Sequence, residues 1–305
     1  MKKTISLLIL FLCLILLFLH PMLTVSAAAN GLMLWYQNIL PALLPFAILS
    51  NILISSGIFY HISGILYPFI HLLIPCSRNA CFPLLSGFLF GFPMGSRICA
   101  QMLEENQLSR EEAVILFAIC NNISPMFIAS YIVHDTLRQD GLLLPTLGIL
   151  YLPPLILCRI LYTFQRNNLT QKETAPRLKL NFSIIDAGIM NGFEILCKLG
   201  GYIMLFSILI SLVEKLPLSK PVLILLENVL EITNGINCLA NTDWSIQTKY
   251  ILAMTATAFG GLSGIAQTSS MVKGTSLSMK KYCLVKLFLT LCTFLLAVAV
   301  SVFLF

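Results

Sequence analysis

The sequence predicts an all-α integral membrane protein built from two inverted repeats, each carrying a re-entrant helical hairpin. Three observations lead there. Of the 305 residues, 58% are hydrophobic and only 10% charged, and several apolar runs reach the roughly 20 residues needed to cross the hydrocarbon of a bilayer. Second, the apolar stretch from Pro83 to Arg97 is interrupted by Gly87, Gly91, Pro93 and Gly95. Proline removes a backbone donor and glycine weakens a helix, so a plain membrane span is not built this way. Broken backbone at membrane depth survives only where protein or a water-filled cavity surrounds it, and this stretch is therefore expected to line a site. Third, the interruption has a copy. Laid on the second half without a gap, Phe90-Gly91 falls on Phe259-Gly260, Gly95 on Gly264, Met102 on Met271 and Leu108-Ser109 on Leu277-Ser278. Paired interruptions at corresponding places in two halves point to the binding site of a secondary transporter.

Composition excludes other classes. The formal charge of +6 comes without a dense basic cluster, and the bases stand at the ends of apolar runs, as topology signals do, so no nucleic-acid partner is expected. The chain has ten cysteines, but Cys13, Cys120, Cys158, Cys197 and Cys292 lie within apolar runs and none forms a CxxC or Cys/His ligand pattern. They read as small buried hydrophobes, and neither a metal nor a cofactor is expected. His20, His61, His71 and His134 are scattered. With no nucleophile elbow, Walker loop or paired catalytic carboxylates, the chain is not expected to be an enzyme or to draw on ATP.

In chain order, residues 1–29 read as an N-terminal transmembrane helix or signal anchor, charged at Lys2-Lys3 and apolar from Ile5 to Leu19. Small residues at Val25 to Ala28 leave open a cleaved signal peptide. Residues 30–164 form the first repeat and its linking helix. Pro41 and Pro45 kink the helix from Leu32 to Ser56, and Leu199-Gly200-Gly201 holds the matching weak point in the second half. Gly57 to Pro75, punctuated by Gly64, Pro68 and Pro75, reads as a short interfacial or half-length helix. Ser109 is placed to cap the helix after it, with Glu112 at the capping-box position. That helix, Ala113 to Val133, carries Asn121, Asn122, Ser124 and Pro125 in its middle, polar groups that belong in a protein interior. Residues 165–181, with Arg166, Lys172, Arg177 and Lys179, form a cytoplasmic linker by the positive-inside rule. The linker reaches that side only if Cys81 to Met102 dips in and returns, which is the argument for a re-entrant hairpin. Residues 182–305 are the second repeat, with a hairpin expected around Ala253 to Ser270. Lys215, Lys220, Lys249, Lys273, Lys280 and Lys281 then face outside, against the same rule.

Four motifs in order carry a family resemblance: GFPMGSR at 91–97, CNNISPMFI at 120–128, EITNG at 231–235 and FGGLSGIAQTSSMVKGTSLS at 259–278. Together they resemble the sporulation integral membrane protein YlbJ, or stage V sporulation protein V, family. That family belongs to the nucleoside-recognition (Gate) group, which is similar in architecture to concentrative nucleoside transporters. The resemblance spans roughly residues 30 to 305. It implies transport of dipicolinic acid across the mother-cell-derived outer forespore membrane during sporulation.

The expected substrate contacts are Gly91, Pro93, Gly95, Ser96 and Arg97 at the first interruption and Asn121, Asn122 and Ser124 in the following helix. Gly264, Gln267, Thr268 and Ser269 supply the matching run in the second half. Arg97 can hold a carboxylate beside freed backbone N–H groups, or it can reach to the interface or neutralise a structural Glu. The amides and hydroxyls read a ring nitrogen or carboxylate oxygens, or tie helices together. Glu231 with Asn234 is the candidate for proton or sodium coupling. Glu194, spaced i, i+4 from Lys198, reads as charge balance. The expectation is a bilayer-embedded transporter of a small anionic metabolite, with a homo-oligomer possible in principle. The alternatives are a nucleoside-type permease and a non-transporting scaffold for spore maturation.

Overall fold

A computed structural model of the chain describes residues 18–165 and 176–305, and among these every regular element is helical. Most of the expected N-terminal helix and most of the 165–181 linker lie outside the described residues. Helix α1 (Pro21–Leu34) starts with proline in its first turn, where no intrahelical donor is lost. It runs through a π turn, Trp35–Ile39, into α2 (Leu40–Ser56), which carries Pro45. Gly57, in the left-handed region at φ 78°, ends α2. Helix α3 (Phe59–Leu73) then leaves at 97° and exposes Ile65, Phe69, Leu72 and Leu73.

Helices α4 (Cys81–Leu89) and α5 (Met94–Glu104) fold back on each other, with Gly87 facing Gly95 across the pair. Helix α6 (Arg110–Ile119) is capped as expected, Ser109 Oγ accepting from the Glu112 amide at 3.1 Å. The Glu112 side chain does not complete a capping box. It turns inward, where its carboxylate accepts from the Ser77 amide at 2.9 Å, the Ser77 hydroxyl at 2.7 Å and the Tyr162 hydroxyl at 3.1 Å. The expected continuous helix over 113–133 is broken. After α6 the backbone unwinds through Cys120 to Ser124, restarts as α7 (Pro125–Phe127) under a Ser124 cap, and continues as a π-helical stretch, Ile128–Leu137. Helix α8 (Leu143–Gln165) closes the first half.

Helix α9 (Phe182–Val213) is capped by Asn181. Helices α10 (Lys220–Leu230) and α11 (Ile232–Ala240) fold back at Glu231, where Asn228 Nδ2 donates across the pair to the Gly235 carbonyl at 3.0 Å. Helix α12 (Ile246–Phe259) breaks at Gly260, resumes as α13 (Gly261–Met271), and is followed by α14 (Met279–Leu304). Helix α12 packs along α14, whereas α13 packs on α5, α9 and α10, so the break at Gly260 interrupts a helix without folding it back. This corrects the expected second hairpin at 253–270: the fold-back lies at Glu231. The gapless register misled because glycine marks both kinds of interruption, while the second fold-back turns on a carboxylate.

Three described helical stretches are long and apolar enough to cross a membrane, Asp140–Gln165, Phe182–Val213 and Met279–Leu304, and the bent pair α2–α3 is a candidate fourth. Their outer faces are greasy. On α14 these include Leu284, Leu287, Leu291, Leu295 and Phe303. Inside, small residues bring backbones together as they do in membrane proteins. Gly188 and Gly192 of α9 pack on Ile52 and Ile48, and Gly200 makes room for the Trp35 ring, whose Nε1 donates to the Leu196 carbonyl at 2.8 Å.

Candidate functional site

The interior centres on the unwound segment 120–124, whose carbonyls have lost their helical partners and must find others. Those of Cys120 to Ile123 go to other elements, while the Ser124 carbonyl accepts from the Ile128 amide in the stretch that follows. The Cys120 oxygen fits against Gly87 and Gly95 so closely that a Cβ on either glycine would overlap it. The Asn121 carbonyl accepts from Lys286 Nζ at 2.9 Å, and the Asn122 carbonyl accepts from the Phe92 amide at 2.6 Å. The Ile123 carbonyl takes the Tyr151 hydroxyl at 2.7 Å. Thus the break is held by both arms of the first hairpin, by its tip, by α8 and by α14.

The other interruptions adjoin it. Gly91, at φ 80° beside a cis Phe92–Pro93 bond, approaches Ser124 so closely that a Cβ would lie 2.8 Å from its amide nitrogen. The Phe92 ring reaches across to α13, 3.3 Å from where a Cβ on Gly264 would stand and 3.9 Å from one on Gly260. Gly261, at φ 71°, abuts the second hairpin's turn at Leu230 and Glu231. Four interruptions therefore meet in one place.

Most expected site residues are here, some in roles other than ligand binding. Asn121 is 2% exposed, and its Nδ2 donates to Thr268 Oγ1 and to the Tyr282 hydroxyl oxygen, both at 2.7 Å. Its Oδ1 is buried without a partner. Gln267 donates to Ser263 Oγ at 2.9 Å within α13. Asn122 donates back to the Ile119 carbonyl, and Ser124 caps α7, so both shape the break itself. Ser269 is exposed, away from the interior. Glu231 is buried and caps α11, its two oxygens accepting from the Thr233 and Asn234 amides at 3.0 and 2.9 Å. Asn234 holds the carboxylate through that amide and its side chain together.

Arg97 is half-buried on α5 beside the fully buried Ser96. Its Nε and the Ser96 Oγ are buried without hydrogen-bond partners. The Glu194 carboxylate lies near enough to feel the Arg97 charge but is hydrogen-bonded by Lys198 Nζ at 2.6 Å, an exposed i, i+4 pair. Such exposed pairs contribute a few tenths of a kcal/mol.

Two residues of this centre were not expected from sequence, Tyr282 and Lys286 of α14, one turn apart. Tyr282 stacks on Phe117 with ring centroids 5.0 Å apart and holds the Asn121 side chain. Lys286 is 4% exposed, and its only hydrogen bond among the described residues goes to the Asn121 carbonyl. The signal was present: a lone lysine inside the apolar run YCLVKLFLTL, where an ionisable group is expensive and marks function. Among the described residues, no group of three or more His, Cys, Asp or Glu is placed to hold a metal ion.

Comparison with known proteins covers this centre. Residues 37–134 match the Gate family model, described as nucleoside recognition, and so take in α4, α5, α6 and the unwound segment. The chain is 26% identical over 306 residues to the sporulation integral membrane protein YlbJ of Bacillus subtilis (strain 168), an alignment covering 88% of this chain and 75% of that one. The resemblance to YlbJ and to the Gate group expected from sequence therefore holds, and the chain is helical with several helices apolar enough to cross a membrane. No solved structure matches it.

Proposed function

We propose that this protein is a membrane transporter for a small anionic metabolite, dipicolinic acid first, acting at the outer forespore membrane during sporulation. The observation that carries the reading is the meeting of four helix interruptions in the protein interior. Unwound backbone is costly in a bilayer, and transporters place it where substrate and coupling ions bind. In this reading α4–α5 and α10–α11 are re-entrant hairpins of two inverted repeats, and alternating access moves them about the unwound segments. Arg97, with a buried nitrogen lacking any acceptor, supplies positive charge for the substrate, and Glu231 is the site for proton or sodium coupling. The sporulation context rests on the name of the Bacillus relative, and the choice of dipicolinate on the family resemblance.

The test is the dipicolinate content of spores lacking the protein, complemented with the wild type or with Arg97→Gln at equal membrane abundance. Restored content with the wild type and low content with Arg97→Gln is expected. Unchanged content in the deletion sinks dipicolinate as the substrate. Full content with Arg97→Gln favours a scaffold in which that charge has no part. The description of the Gate match favours a second reading, a nucleoside permease, in which uridine but not dipicolinate is taken up by vesicles containing the protein.

A further inference from the structure

The geometry points to Lys286 as the counter-charge for the transported anion, binding a carboxylate between its ammonium and the open backbone N–H groups at the start of α13. This deepens the transport reading above and rests on it. The ammonium is at least nine-tenths buried, and no carboxylate of the described residues lies within ion-pair distance of it. A buried, unpaired charge is among the costliest features a fold can hold. Its one acceptor is the neutral Asn121 carbonyl, which leaves two of three N–H bonds unassigned.

The surroundings favour an anion beside it. The Lys286 Cε lies 3.9 Å from where a Cβ on Gly260 would stand, at the residue that caps α13. Helix α13 begins under Gly260, with no side chain accepting from its first amides. The Lys286 stem thus reaches the end of α13 where the helix presents its uncapped N–H groups and the positive end of its dipole. An anion satisfies both. Glu231 cannot fill that role without abandoning its own cap, since both its oxygens are engaged by α11. Gly260 leaves open the space that a side chain would block. The Lys286–Asn121 bond then acts as the resting latch that a carboxylate relieves, tying substrate arrival to the unwound segment.

The test uses the purified full-length protein in detergent or nanodiscs. Binding of pyridine-2,6-dicarboxylate and of its neutral diamide is measured by thermal shift and equilibrium dialysis, for the wild type, Lys286→Gln and Lys286→Arg. Expected is a wild-type preference for the dicarboxylate, a loss of roughly 10- to 100-fold in its affinity in Lys286→Gln, and substantial recovery in Lys286→Arg. Diamide binding is expected to be alike in all three. A wild type that binds the dicarboxylate while Lys286→Gln binds it within twofold overturns the role of Lys286 and leaves the transport reading standing. A wild type that binds no anion overturns both. If Lys286→Gln does not fold, Lys286→Met takes its place in the same comparison, and equal wild-type affinity for dicarboxylate and diamide refutes a charge-selective site in any case.

Discussion

Gly95 lies under the Cys120 carbonyl so closely that even one methyl group between them would overlap the oxygen. Gly87, across the hairpin, meets the same atom. Neither neighbour is a flexible side chain that can swing aside, so Gly87→Ala and Gly95→Ala are expected to destabilise by at least about 3 kcal/mol, enough to empty the folded peak in fluorescence-detected gel filtration. Gly148→Ala, on an open face of α8 with nothing within 4 Å, is expected to leave that peak unchanged.

The Asn121 amide joins three elements through two bonds from one nitrogen. Tyr282→Phe keeps the ring stacked on Phe117 and removes only the hydroxyl, so a loss of about 1 kcal/mol is expected, read as a modest drop in thermal midpoint in detergent. Thr268→Val removes the other acceptor. The double variant is expected to cost more than the sum of the two, because the buried amide is then left with no acceptor.

Glu112 and Ser109 separate a cap from a buried anchor. Ser109→Ala removes one cap bond and is expected to cost about 1 kcal/mol. Glu112→Ala strands the Ser77 amide, the Ser77 hydroxyl and the Tyr162 hydroxyl in the interior and is expected to cost about 3 kcal/mol. A capping box gives two similar losses, and the buried anchor gives very unequal ones. Denaturation of the two variants side by side decides.

Gly260 is needed for its backbone more than for its space. Its φ is 79°, and the atoms nearest to an added Cβ stand 3.9 Å off. Gly260→Ala is expected to cost about 1–2 kcal/mol from the left-handed conformation alone, and Gly260→Asn less, since asparagine visits that region more readily. Gly261→Asn is expected to be worse than Gly260→Asn, because its Cβ would press on the backbone of Leu230, Glu231 and Ile232. Thermal midpoints of the three variants give the order.

Sequence reasoning reached what glycine and proline write into a chain. Gly91 and Gly260 stand at positive φ, as the interruptions implied, and the polar residues after Cys120 face the interior. It missed features that other chemistry makes. The second hairpin turns at Glu231, an extended residue whose carboxylate caps the next helix, and a search for matched glycines passes over such a turn. Lys286 was hidden for a different reason: one charge in an apolar span is recognisable as costly, but only the folded chain shows that Asn121 is what it meets. The roles of Asn122 and Ser124 are likewise invisible without the backbone they shape.

The four carbonyls from Cys120 to Ile123 are gripped from four directions, and this constrains how the molecule can move. Swinging the first hairpin away as a unit breaks the Phe92–Asn122 link and lifts both glycines off the Cys120 oxygen together, since the three contacts belong to its tip and its two arms. Nothing in that arrangement lets go gradually. Loosening this hairpin is therefore expected to be all-or-none, with its amide protons in hydrogen exchange opening together rather than one by one.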